Sequence, residues 1–269
     1  MTTERFSDRL AAAVERKRSQ LVVGLDPFPD RVPDLDAFCR AVVDAVAPYA
    51  VAVKPQSAFF EARGADGVRS FERACAHARE AGLLVIADVK RGDIASTAAA
   101  YADAAFAHAD AATVNPYLGR DSVEPFLERC RDGGKGIFVL VKTSNPGSGD
   151  LQDAELADGR RVWELVAERV AAWGEGLVGG HGLSDVGAVV GATYPREVAE
   201  ARELLPRAPF LLPGVGAQGG TADDVAAAFA AGPASGLVSA SRSVIFADSP
   251  AEAAERLARE VWDVAHAAA

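Results

Sequence analysis

Leu83-Leu84-Val85-Ile86-Ala87-Asp88-Val89-Lys90-Arg91-Gly92-Asp93-Ile94-Ala95-Ser96-Thr97 reads as a strand running into a helix, with chemistry at the joint. Its first half is a short apolar run of the kind that fills a strand covered on both faces. Its second half opens a helix, for which Asp93 or Ser96 is available as a cap. Asp88 and Lys90 are two apart, so an extended chain projects both from one face as the strand ends. Asp93 follows a turn through Arg91-Gly92. Three charges at the carboxyl end of an apolar strand are costly to bury unless paired, and a salt bridge plus a helix cap would account for such a group by themselves. Lys54 ends another apolar run, Tyr49-Ala50-Val51-Ala52-Val53, and can meet the same cluster. An alternating array of Lys54, Asp88, Lys90 and Asp93 would hold an anion next to a proton donor.

Outward from this stretch the same strand-then-helix pattern repeats. Strands are expected at Leu21 to Leu25, Ala50 to Val53, Leu83 to Val89, Ala111 to Val114, Ile137 to Val141, Gly187 to Gly191, Pro209 to Leu212 and Gly236 to Ala240. Segments with helical spacing lie between them: Leu35 to Ala47, Val68 to Ala81, Ser96 to Ala109, Ser122 to Cys130, Arg161 to Trp173, Arg196 to Leu205, Ala222 to Ala231 and Pro250 to Ala267. An amphipathic helix within residues 1–18 precedes them, with Phe6, Leu10, Ala13 and Val14 on one side. Eight strands, each followed by a helix, is the count of a closed (β/α)₈ barrel, an α/β fold formed here by residues 1–269 as one domain. An open doubly wound sheet is the competitor. It normally carries a G-x-G-x-x-G turn after its first strand, and Leu25-Asp26-Pro27-Phe28-Pro29 has none. Two long polar, Gly-rich connections, 142–160 and 177–185, are expected near the catalytic rim as candidate lids.

Composition narrows the function classes. With 269 residues, 49% hydrophobic and 25% charged, the chain has enough apolar material for a sizeable core. A formal charge of −10 disfavours a nucleic-acid partner, because no basic stripe would offset repulsion from the phosphates. Cys39, Cys75 and Cys130 are odd in number and far apart, and read as small buried side chains in a reducing compartment. His77, His108, His181 and His266 form no H-x-H, H-E-x-x-H or Cys/His pairing, so no metal site is expected. No apolar run approaches a bilayer span, and Met1 to Arg9 lacks a signal-peptide core, so a cytoplasmic protein away from the membrane is expected.

In a barrel of this kind catalysis occurs at the carboxyl ends of the strands. Those positions hold Asp26, Lys54, Asp88 with Lys90, Asn115, Lys142-Thr143-Ser144-Asn145, Thr193, Gly214 to Gly220, and Ser241-Arg242. Pro213-Gly214-Val215-Gly216-Ala217-Gln218-Gly219-Gly220-Thr221 follows the seventh strand and opens a helix. Glycines let backbone N–H groups approach a phosphate, and the helix N-terminus adds a favourable field. Arg242, after the eighth strand, can grip the same phosphate in a fork.

At this point the chain resembles the orotidine 5′-phosphate decarboxylase family, and specifically its longer bacterial (type 2) branch. Asp88-Val89-Lys90-Arg91-Gly92-Asp93-Ile94-Ala95-Ser96-Thr97 matches the family's core pattern. Val141-Lys142-Thr143-Ser144-Asn145-Pro146-Gly147-Ser148, Gly191-Ala192-Thr193-Tyr194-Pro195 and Pro213 to Gly220 look like the branch's other landmarks, in register from about Leu21 to Ile245. The resemblance implies a homodimer that converts orotidine 5′-monophosphate to uridine 5′-monophosphate and CO₂ without metal or organic cofactor. It implies catalysis by Lys54, Asp88, Lys90 and Asp93, with Lys90 as proton donor. Asp93, Ile94 and Thr97 would reach the partner's site. Asp26 would bind ribose, Ser144 the pyrimidine amide edge, and Gln218 and Arg242 the phosphate, with Gly216 and Gly219 in the same loop. Asn115 is a site neighbour only.

Two rival readings remain. A sister barrel decarboxylates a sugar-acid phosphate through an enediolate on Mg²⁺, but it usually places an acidic ligand near the second strand, where this chain has Lys54. A non-catalytic nucleotide-binding barrel would have no use for a proton donor.

Overall fold

The sheet closes on itself: each strand pairs in parallel with the next, and the eighth returns to the first. The computed structural model describes residues 4–215 and 220–268. In chain order the elements are α1 (Phe6–Lys17), β1 (Leu21–Leu25), α2 (Leu35–Val46), β2 (Ala52–Pro55), α3 (Ser57–Glu61), α4 (Gly64–Glu80), β3 (Leu84–Arg91), α5 (Ala95–His108), β4 (Ala111–Val114), α6 (Arg120–Gly133), β5 (Gly136–Lys142), α7 (Gly149–Gln152), α8 (Val162–Gly174), β6 (Val186–Val190), α9 (Pro195–Leu204), β7 (Phe210–Pro213), β8 (Gly236–Ala240), α10 (Arg242–Ile245) and α11 (Pro250–Ala268). Pairing of Leu21 with Val238 across β1 and β8 removes the open-sheet alternative.

The strands read as unbroken apolar runs because each is buried on both faces. Alternate residues serve two different cores. Leu21, Val23, Leu25, Val85 and Ala87 pack outward against the helices, while Val22, Ala52, Ile86, Ala111 and Phe138 fill the barrel's interior. The interior is stoppered at its amino-terminal end by α1, whose Phe6, Leu10, Ala13 and Val14 join the inner cluster. Phe6 meets Phe138 edge-on at 6.1 Å. Gly136 makes room for it, since a Cβ there would lie 2.1 Å from the Phe6 ring. With this end closed, the carboxyl end of the barrel is left for chemistry.

Several expectations shift. β2 and β3 run on past the apolar residues, so that Lys54 and Lys90 lie within strands rather than beyond them. The helix expected at Ala222 to Ala231 is a tighter 3₁₀ coil, Asp223–Phe229. Neither Asp93 nor Ser96 caps α5; its cap position is Ile94, and among the described residues the Asp93 carboxylate accepts only the adjoining Ile94 amide, at 2.8 Å. The 177–185 connection is not at the catalytic rim. It precedes β6, and a segment that enters a strand lies at that strand's amino end. There Asp8 of α1 accepts from the His181 amide at 3.0 Å, and Asp185 accepts from the Ser7 amide at 2.8 Å. The 142–160 connection does leave the carboxyl end of β5. It folds back on itself, with Gln152 accepting from the Thr143 amide at 2.9 Å and Asp153 from buried Lys142 at 2.6 Å.

Candidate active site

The interior residues turn polar where the barrel opens. Two residues on from Ala52, Ile86 and Ala111, on the same inward face, stand Lys54, Asp88 and Thr113. Lys54 and Asp88 are only 8% and 4% exposed, so their charges must be answered inside the protein.

Asp88 is answered four times. One carboxylate oxygen, Oδ2, accepts from the Lys54 ammonium and from Gln56 Nε2 at 3.1 Å. The other, Oδ1, accepts from the Lys90 ammonium and from the Thr113 hydroxyl at 3.0 Å. Burial by itself would raise the pKa of this carboxyl; the ammonium groups of Lys54 and Lys90 overcome it and bring the pKa down to about 2. Burial likewise opposes the charge on Lys54, but Asp88 and then Asp26 outweigh it and push its pKa up, so it stays an ammonium. Two ammoniums and one carboxylate leave the cluster with a net charge of +1. Lys90 stands at its outer edge, with 44% of its side chain exposed. It is the member of the cluster that a ligand can reach.

Around this centre lie polar atoms with nothing to bind. Asp26 Oδ1 beyond β1, Thr193 Oγ1 beyond β6 and Ser241 Oγ beyond β8 are buried and have no hydrogen-bond partner among the described residues. Buried polar atoms are nearly always paired, so three orphans at one end of the barrel mark places for a polar ligand. Ser144 packs at the end of β6, so close that a Cβ on Gly191 would meet its Cβ at 2.9 Å. Arg242 opens α10 beyond β8 with an exposed side chain.

The expected residues therefore divide. Lys54, Asp88 and Lys90 are brought together, with Asp26 near enough to bias Lys54. Asp93 does not join them within one chain. It sits with exposed Ile94 and Thr97 on the β3–α5 corner, so the cluster within one chain has three charged members, Lys54, Asp88 and Lys90. Asn115 holds a turn, its side chain accepting from the Tyr117 amide at 3.0 Å. Gly216, Gln218 and Gly219 lie outside the described residues; the flanking Gly214 and Gly220 are joined by a 3.2 Å backbone hydrogen bond. Gln56 and Thr113 were not anticipated. Both could have been found by continuing the inward faces of β2 and β4 past their last apolar residues, to Gln56 two beyond Lys54 and to Thr113 two beyond Ala111. Among the described residues no group of three or more His, Cys, Asp or Glu side chains is placed to hold a metal ion.

Comparison with known proteins agrees with this geometry. The orotidine 5′-phosphate decarboxylase / HUMPS family profile matches residues 19–257. The chain is 46% identical over 268 residues to orotidine 5′-phosphate decarboxylase of Rhodopirellula baltica, covering 90% of this chain and 88% of that one. It is also 46% identical over 278 residues to the enzyme of that name from Roseiflexus castenholzii, covering 98% of each. The structure of Leishmania donovani OMP decarboxylase superposes with a TM-score of 0.84 at 38% identity, covering 97% of this chain and 99% of that one.

Proposed function

The chain belongs to the orotidine 5′-phosphate decarboxylase / HUMPS family, and on that premise we propose that it converts orotidine 5′-monophosphate to uridine 5′-monophosphate and CO₂. It is a carboxy-lyase of pyrimidine biosynthesis. The observation that carries the reading is the Lys54–Asp88–Lys90 cluster on neighbouring strands, with an accessible ammonium at its open edge.

Loss of CO₂ from a pyrimidine carbon leaves a carbanion with no carbonyl suitably placed to delocalise it. The protein must stabilise that charge, and an ammonium fixed beside the carbon does so and then delivers its proton. Lys90 has this role. Asp88, with all four acceptor positions occupied, has no lone pair left with which to act as a base. Its charge lies beside the leaving carboxylate. Two like charges about 4 Å apart at an effective dielectric near 20 repel by about 4 kcal/mol, and the adjacent ammoniums offset part of that. Very slow reactions need on the order of 20 kcal/mol of barrier reduction. Most must come from the fixed cations and from contacts that hold the nucleotide in place.

Asp26 binds the ribose, Ser144 the pyrimidine amide edge, and Arg242 with Gln218, Gly216 and Gly219 the phosphate. The motifs Val141 to Ser148, Gly191 to Pro195 and Pro213 to Gly220 favour the longer bacterial branch. The working form is a homodimer in which Asp93, Ile94 and Thr97 complete the partner's site. Ile94 is 53% exposed, and Tyr117 and Leu118 are exposed on the adjoining β4–α6 corner, an apolar surface suited to cover by a second copy. The three unpaired, buried cysteines suit the cytosol.

The purified protein, in buffer containing a chelator, is expected to consume orotidine monophosphate, read as a fall in ultraviolet absorbance. No turnover would sink the proposal. Activity lost to chelator and restored by Mg²⁺ would favour the enediolate barrel instead. Mixing Lys90→Ala with Asp93→Asn protein is expected to regain activity through hybrid dimers with one intact site. Absence of recovery after verified subunit exchange would count against a shared site.

A further inference from the structure

We infer that Thr113 is a positioning residue for the proton donor: its hydroxyl sets the backbone of Lys90 and the carboxylate of Asp88 together, and turnover depends on that hydroxyl. The inference rests on the decarboxylase reading and adds to it a residue on the strand next to the charged cluster.

β3 and β4 lose register just where the chemistry is. Ala87 pairs with Ala112, but the next partner of Val114 is Arg91, so residues 88–90 have no ordinary ladder partner on β4. A bulge of this kind leaves backbone amides unpaired and re-aims a side chain. The amides of Val89 and Lys90 are both taken by the Thr113 hydroxyl oxygen, at 3.0 and 2.9 Å. Lys90 meanwhile adopts φ +43°, a left-handed conformation that costs a residue other than glycine energy and persists only where its surroundings enforce it. Thr113 supplies that enforcement from the neighbouring strand.

The hydroxyl has no capacity to spare. It offers two acceptor positions and one hydrogen. Two amides fill the acceptor positions, which commits the hydrogen to Asp88 Oδ1 at 3.0 Å. That oxygen also holds the Lys90 ammonium. One side chain thus fixes both ends of the Lys90 residue, its amide directly and its ammonium through Asp88. Threonine suits the task better than serine, because its branched Cβ restricts rotation of the hydroxyl. Valine keeps the shape of threonine but leaves two amides without a partner and takes one of two donors from Asp88 Oδ1.

The test compares Thr113→Val and Thr113→Ser in steady-state turnover of orotidine monophosphate and in hydrogen–deuterium exchange of the segment spanning residues 86–92. Thr113→Val is expected to lower kcat by about 10- to 100-fold, the consequence of unmade buried hydrogen bonds. KM should stay within about threefold, since Thr113 is buried and its three hydrogen bonds all go to protein groups. Thr113→Ser is expected to recover most of kcat, and the Val89 and Lys90 amides should exchange faster in the valine variant than in the serine one. Near-normal kcat in Thr113→Val, a serine variant as slow as valine, or lost kcat with amide protection intact would each overturn the inference. If Thr113→Val does not fold, Thr113→Ala against Thr113→Ser carries the same contrast. Should the unmodified protein not act on orotidine monophosphate, the decarboxylase reading fails, and the exchange contrast still decides whether Thr113 holds Lys90.

Discussion

Asp88 at the carboxyl end of the barrel and Asp185 at the amino end are both buried, and their acidities move in opposite directions. For Asp88, burial is overcome by two ammoniums and the pKa falls to about 2. For Asp185, burial prevails over the Ser7 amide, the Ser7 hydroxyl and Arg5, and the pKa rises. The contrast extends to the two ends as a whole. At the amino end two ion pairs, Arg5–Asp185 and Arg9–Asp110, tie α1 to the barrel, and the other buried or half-buried cations are spent on backbone. Lys17 donates to the carbonyls of Ala47 and Ala50, Lys135 to that of Ala109, and Arg202 to those of Leu205, Ala208, Ala228 and Ser235. At the carboxyl end the ions face one another, and neighbouring polar atoms are left without partners. Charge that closes loose backbone ends holds a fold together, whereas charge concentrated beside unfilled polar atoms is arranged for a ligand. Gln20, buried just before β1, has both side-chain polar atoms unpartnered among the described residues.

The largest effect that could break this contrast is at Lys90. Lys90→Ala is expected to reduce turnover by on the order of 10⁴-fold, combining lost electrostatic stabilisation and lost proton delivery. Its melting temperature should change by only a few degrees, because the side chain is half-exposed. Near-normal turnover would remove the proton-donor role. The converse substitution is Asp185→Ala, which strips α1 of its anchor at Ser7 and Arg5. It should lower unfolding free energy by about 2–4 kcal/mol while leaving kcat per folded molecule unchanged. A large loss of kcat there would mean that the two ends are not separate in function.

Acid sharpens the comparison further. Because the Asp88 pKa is depressed in the folded state, its contribution to stability is complete above the ordinary value of 3.8 and is lost as pH falls through about 2. The stability cost of Asp88→Asn should therefore grow as pH rises from about 2 to about 4. Asp185 is shifted upward, so the folded state holds its proton more tightly and the carboxyl stabilises less as pH rises above 3.8. The cost of Asp185→Asn should shrink over that range. Urea unfolding of both variants at several acidic pH values reads the two slopes, and slopes of the same sign would refute the assignment. The smallest effect concerns the thiols. Burial holds Cys39 and Cys75 at about 12 and raises Cys130 as well. None should react with a thiol reagent at pH 8 in the folded protein, and all three should react in denaturant.

Much of this was legible from residue order. The eight apolar runs with helical segments between them predict the barrel, and the expected strands at Leu21 to Leu25, Ala111 to Val114 and Gly236 to Ala240 match the observed ones residue for residue. Lys54, Asp88 and Lys90 stand out because charge at the end of an apolar strand demands a partner. Length and composition suggest a rim loop for the 177–185 connection, but its place before β6 assigns it to the amino end. Thr113 escaped notice because threonine is ordinary in a strand and the β3–β4 register shift that gives it work has no trace in local sequence.

Residue order alone determined the alternation of strand and helix, the two-residue period that separates inner from outer core, and the kind of charge at each strand end. These follow from backbone geometry and the expulsion of apolar surface from water, which act over a few neighbouring positions. Only the folded barrel decided that Asp88 would be held by four donors, three in strands and Gln56 just beyond β2, that Lys90 would turn left-handed under the grip of Thr113, and that Asp93 would stand apart from the charged cluster of its own chain. Those outcomes depend on distances between residues remote in sequence, and such distances exist only once the sheet has closed.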